Sequence, residues 1–164
     1  MNKYESGQSL IEILLALALA VVVITGITFG VTSSLKNATF SKNQNLASSY
    51  AQEGMEIVRG IRDRSWNVFT SLPGGPNQCL AQNSTTLVPR SGPDCNGEGN
   101  VGIFIREITL NNNSSDCTTG ANNTKVTVQV KWSDNNCPTA APSNYCHKIE
   151  LISCFSNFNF APIP

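Results

Sequence analysis

The first 78 residues contain no cysteine, and from Ile13 to Val31 there is no charged side chain. The chain has no Cys-x-x-Cys pair and only one histidine, His147. Its 11 basic and 11 acidic residues cancel, and no basic tail or patch stands out. Each absence excludes a class. Without a basic patch, a dedicated nucleic-acid site has no electrostatic footprint. No glycine-rich phosphate loop exists, because "PGGP" and "GEGN" are turn sequences. A Cys–His nucleophile needs a free thiol, yet all six cysteines can pair. His147 follows Cys146 directly, which is poor spacing for two ligands of one tetrahedral ion. A lone histidine at the start of a strand reads as a surface or packed side chain. No enzyme activity, cofactor or metal is expected.

What is present divides by position. The 164 residues leave room for about one domain. All six cysteines, Cys79, Cys95, Cys117, Cys137, Cys146 and Cys154, lie in the polar Asn/Ser/Thr-rich second half. An even count there reads as disulfides formed in an oxidising compartment, and a small core benefits from such staples. Fifteen connectivities are open. Cys137 and Cys146 flank the turn "PTAAPSNY" and rank first, and Cys79 with Cys95 ranks next. Cys146 and Cys154 sit about 26 Å apart on one extended strand, so they should not pair.

The apolar run from residue 13 to 31 spans about 28 Å as a helix, enough for a bilayer core. The helix should continue beyond it. From Ser33 to Arg64 there is no proline, and Leu46, Tyr50, Ile57 and Ile61 form a stripe flanked by Ala47, Ala51 and Val58. Glu56 with Arg59 and Arg59 with Asp63 are spaced for surface ion pairs. "LPGGP" ends the helical part, and residues 73–100 read as a loop. The period then becomes two in "VGIFIREITL", "TKVTVQVKW" and "HKIELISCF", predicting three antiparallel strands. The tail "NFNFAPIP" reads as extended. The expected fold is α+β. A long N-terminal helix, membrane half then amphipathic half, covers a disulfide-stapled sheet of three or four strands.

The stretch "ESGQSLIEILLALALAVVVITG" admits three readings. A cleaved secretory signal has a shorter apolar run than this one. A plain membrane anchor would leave Glu12 idle at the headgroup level. The third reading is a resemblance. A short polar leader ending in Gly7, then Gln8-Ser9-Leu10-Ile11-Glu12 and an unbroken apolar helix, resembles the signal of type IV pilins and type II secretion pseudopilins. In that family a prepilin peptidase cuts after the glycine and methylates the new amino terminus, and the mature chain carries glutamate at its fifth position. Glu12 is fifth from Gln8. Gln8 stands where the family usually has phenylalanine, and Ser9 where threonine is common.

The resemblance implies four segments: a leader over 1–7, a transmembrane and polymerisation half over 8–34, an amphipathic half over 35–70 and an extracytoplasmic β domain over 71–164. It implies cleavage at Gly7/Gln8, methylation at Gln8 and charge pairing by Glu12. The implied partners are the prepilin peptidase, other pilin or pseudopilin subunits, an inner-membrane assembly platform and the membrane itself. The chain would be a single-pass protein of the cytoplasmic membrane before assembly, then a structural subunit of a cell-surface filament. The alternative is a membrane-anchored extracytoplasmic binding module that does not polymerise.

Overall fold

The computed structural model describes residues 5–117, 123–134, 137–138 and 145–157. Its contacts divide the chain into two units, Met1–Asn43 and Gln44–Pro164. One helix, α1 (Glu5–Arg64), runs through both. In the first unit it is the whole described structure, and its large apolar side chains lie open, from Leu10 to Leu35.

The second unit joins the end of α1 to a short helix and a sheet. Ser65 adopts an extended backbone and its hydroxyl accepts from the Val68 amide, capping α2 (Trp66–Ser71). Among the described residues six strands follow: β1 (Gly75–Cys79), β2 (Val88–Pro89), β3 (Asn100–Val101), β4 (Phe104–Asn112), β5 (Asn123–Trp132) and β6 (His147–Ser156). The order is β2-β1-β4-β5-β6, with β3 also on β4, and every pairing is antiparallel. The three long strands stand where the two-residue period places them. β1 and β2 lie in the segment expected to be loop, and β3 straddles its end at residue 100. At two to five residues, and rich in Gly, Pro and Asn, they carry no period to detect. All but the first residue of the tail expected to be extended, and the first four residues of the expected leader, lie outside the described residues.

The core forms where the end of α1 covers the sheet. Ala47, Ala51, Met55, Val58 and Ile61 are buried with Ile108, Leu110, Val126, Val128, Val130 and Phe155. The stripe is centred on Ala47 and Ala51; Leu46, Tyr50 and Ile57 are its half-buried rim. Small residues at the centre let the helix backbone approach the strands. Gly54 shows how closely: a Cβ there would meet Val128 Cγ1 at 3.0 Å. Strand β5 alternates strictly, with its valines and Trp132 toward the helix and Lys125, Thr127, Gln129 and Lys131 half-exposed. Central β4 is buried on both faces over five residues.

Glu56 pairs with Arg59 as the spacing predicts. The expected Arg59–Asp63 pair is replaced, because Asp63 takes the adjacent Arg62 guanidinium at 2.6 Å. Three disulfides close the unit: Cys79–Cys95, Cys117–Cys154 and Cys137–Cys146. In the chain-entropy account they contribute about 2.6 kcal/mol for the shortest loop and about 3.8 kcal/mol for the longest.

Candidate functional site

Two regions carry chemistry beyond packing. The first is the open part of α1. Gly7 and Gln8 lie in its opening turns and Glu12 stands one turn past Gln8, its side chain exposed. Residues four apart share a helix face, so positions 8 and 12 are neighbours along one row. From there to Leu35 the surface is Leu, Ile, Val, Ala and Phe on every side, with Phe29 76% exposed. A helix apolar all round belongs in an apolar medium.

The few polar groups in this run satisfy themselves. The hydroxyls of Thr25, Thr28 and Thr32 donate to the carbonyls of Val21, Ile24 and Thr28 at 2.7, 2.8 and 3.0 Å. Such internal bonding lets threonine sit where no water is available. Adding a Cβ at Gly26 or Gly30 would meet no atom within 4 Å, so neither glycine is required by a contact within the chain. By length and composition this helix fits a membrane anchor, and disulfides on the following unit fit an extracytoplasmic domain.

The second region is the disulfide-stapled sheet. Its most unusual group is Arg106, fully buried on β4. Nε donates to the Leu80 carbonyl at 3.0 Å and Nη2 to the Ala81 carbonyl at 2.7 Å, while Nη1 faces Glu53 Oε1 of α1 at 3.3 Å. One guanidinium thus ties the exit of β1 to the helix. On the opposite face of β4, buried Glu107 pairs with Lys131 and accepts from the Cys95 amide at 3.3 Å. These are fastening contacts, since each charge is spent on a backbone or side-chain partner of its own domain. The sequence hid them because Arg106 and Glu107 look like solvent-facing charges in an alternating strand. Only the covering of both faces of β4 reverses that reading.

Nearby, Gly99 permits a close crossing. Its Cα has no room for a side chain, because a Cβ there would stand 2.7 Å from the Arg106 carbonyl. Glu98 beside it is exposed, and the Ser91 hydroxyl, then the Ser91 amide at 3.1 Å, hold its carboxyl below the ordinary range. Tyr145 is shifted upward by burial, with the carboxylates of Asp94 and Glu107 adding to the effect.

At the far end of β5 and β6 an aromatic chain runs from Tyr50 through Phe104 and Trp132 to His147, with centroids 5.3 to 5.8 Å apart. His147 stacks on Trp132 and its Nε2 lies 3.2 Å from Asp134 Oδ2. The fold brings Asp134, Cys137, Cys146 and His147 together, with one ligand atom of each within 4.8 Å of the others. Asp134 is the residue that spacing alone did not single out. A cleft of about 700 Å³ also opens beside Arg62, Arg64 and Trp66, where no nucleophile–base pair is assembled among the described residues lining it. Comparison of the chain with protein-family models, with curated proteins and with solved structures gives no match to any of them.

Proposed function

We propose that the chain is a structural subunit of a type IV pilus-like or type II secretion filament, assembled through its apolar N-terminal helix after removal of residues 1–7. The observation that carries this reading is the placement of Glu12. It is the last charge before the charge-free run from Ile13 to Val31, and it stands four residues after Gln8, the residue that cleavage would expose.

The physical argument concerns charge in an apolar medium. Cleavage after Gly7 leaves a positive amine on Gln8, or a methylated amine that is still positive. A charge at membrane depth costs a few kcal/mol on insertion scales. When apolar helices leave the bilayer and stack on one another, that amine is buried again. A carboxylate four residues along supplies its counter-charge, from the same subunit or from the one beneath. A buried ion lacking its partner is strongly unfavourable, by about 3–5 kcal/mol. Glu12 therefore selects one register among the many that a smooth apolar helix allows. Its role is recognition and not proton transfer.

The open helix surface supports the same reading. Large side chains exposed from Leu10 to Leu35 have two media available, lipid before assembly and neighbouring helices afterwards. A prepilin peptidase, an inner-membrane assembly platform and other subunits would be the partners. The sheet would then be the part displayed outside the membrane.

Amino-terminal sequencing of the purified mature protein tests the processing step. The expected first residue is Gln8, and Gly7→Leu should leave residues 1–7 attached. A wild-type chain beginning at Met1, Val21 or Ser34 would contradict the proposal and favour an anchored, non-polymerising module or a conventional signal peptide.

A further inference from the structure

We propose that Asp134, Cys137, Cys146 and His147 form a redox-gated site for a zinc-like divalent cation, closed while the disulfide is intact and opened by a dithiol. The inference is independent of the filament reading. It rests on four side chains of zinc-binding type converging at one corner of the sheet, with ligand atoms within 4.8 Å of one another.

The donor set suits the ion. Two thiolates, one imidazole and one carboxylate complete a tetrahedron with no position to spare. The spacing looked unsuitable because Cys146 and His147 are adjacent. In the fold, Cys146 precedes the strand and His147 opens it, while Asp134 and Cys137 approach from the end of β5. Adjacent residues in sequence thereby serve one corner with different side-chain directions.

The scaffold does not depend on the disulfide to stay in place. β5 and β6 pair continuously from Asn123↔Ser156 to Trp132↔His147. His147 is therefore held by the last rung of that ladder and by stacking on Trp132 at 5.3 Å. Asp134 follows Trp132 by two residues and already lies 3.2 Å from the imidazole. The Cα atoms of the two cysteines are 5.4 Å apart. Two sulfurs sharing a tetrahedral zinc stand about 3.8 Å apart, so opening requires side-chain rotation more than backbone travel.

This disulfide is also the one most readily opened. Cys146 is exposed and Cys137 half-buried, whereas Cys79 and Cys95 are fully buried and the third bridge joins exposed Cys154 to Cys117, which is only 5% exposed. It closes the shortest loop, a separation of 9 residues against 16 and 37, so its loss costs the fold least. The steps balance. A dithiol donates two electrons and two protons, becoming a disulfide, and Cys137 and Cys146 become thiols. The cation then displaces the two thiol protons and binds both sulfurs, with His147 neutral and Asp134 ionised.

The test uses the full chain in detergent, treated with a small dithiol that is then removed without oxygen. Thiol labelling with peptide mapping should find Cys137 and Cys146 reduced before the other four cysteines. Cobalt(II) added to that protein should give one equivalent of tetrahedral complex with thiolate-to-cobalt charge-transfer absorption, displaced by zinc. The untreated protein should give none. His147→Ala and Asp134→Ala should each weaken cobalt binding about tenfold or more. His147→Cys, which keeps a ligand at that position, should restore it. Earlier reduction of either other disulfide, no charge-transfer band in the reduced protein, or a band unchanged in both alanine variants would overturn the proposal.

Discussion

One helix, α1, behaves as two different objects along its length. Before Asn43 it carries leucine, isoleucine and valine on all sides and buries none of them. After Gln44 its buried positions are half small, Ala47, Ala51 and Gly54, and half larger, Met55, Val58 and Ile61, with the Glu56–Arg59 pair on the exposed face. Hydrophobicity alone would assign the core to the first stretch. The structure puts it in the second, because burial follows from having a complementary surface nearby. The sheet supplies that surface only to the second stretch. The first is apolar on all sides and exposed, and by length and composition it fits a membrane anchor.

If that contrast is right, damage to one stretch should leave the other intact. The largest effect expected is from Arg106→Ala. It strips the carbonyls of Leu80 and Ala81 of their donors and leaves a cavity against α1. The disulfide-stapled unit should lose about 3–5 kcal/mol by denaturant unfolding. Membrane association through residues 13–31 should not change. Loss of both together would mean that the two stretches are not separable.

Gly54→Val should have a smaller effect. The new side chain meets Val128 Cγ1, which already stands 3.0 Å from the position of its Cβ. Overpacking there should destabilise the unit by about 1–3 kcal/mol. The same change at Gly30, where nothing lies within 4 Å, should leave stability unaltered. Thermal unfolding of the two variants side by side reads the difference directly.

Both expectations depend on how the sequence encodes each stretch, and the encoding is uneven. The helix, the three long strands and their antiparallel order follow from period and spacing, because β4, β5 and β6 each run nine or ten residues. β1, β2 and β3 are too short for a period and owe their place to partners far along the chain. Gln78 pairs with both Pro89 and Ile108, for example. The helix stripe was legible but off-centre, since side-chain size draws the eye to Leu46 and Tyr50, which are partly buried, while the smaller Ala47 and Ala51 are fully buried. Arg106 was not legible at all. Its burial depends on a helix 53 residues earlier and a loop 26 residues earlier meeting over one strand. The corner formed by Asp134, Cys137, Cys146 and His147 was half legible, since the disulfide pair follows from the turn between its cysteines and Asp134 does not.

The smallest effect expected is a pH response confined to the loop closed by Cys79 and Cys95. Ser91 lowers the pKa of Glu98 in the folded chain, so the contact contributes above the ordinary glutamate value of 4.5. It is lost as pH falls through the lower folded value. The protection of the Ser91 amide, the ratio of the intrinsic to the observed exchange rate at the same pH, should therefore fall below that point, with no change in the protection of β5. The disulfide keeps the loop closed throughout.

The central claim is that the open stretch of α1 assembles with other copies and that Glu12 sets the register. The direct measurement is the ratio of sheared-filament to membrane-bound protein for wild type and Glu12→Ala at matched expression. The account predicts normal membrane insertion and a normal outer domain for Glu12→Ala, with filament incorporation sharply reduced. Glu12→Gln should be nearly as poor and Glu12→Asp intermediate. Entry of Glu12→Ala into filaments at the wild-type ratio would contradict the role given to this carboxylate, even with the leader still removed at Gly7.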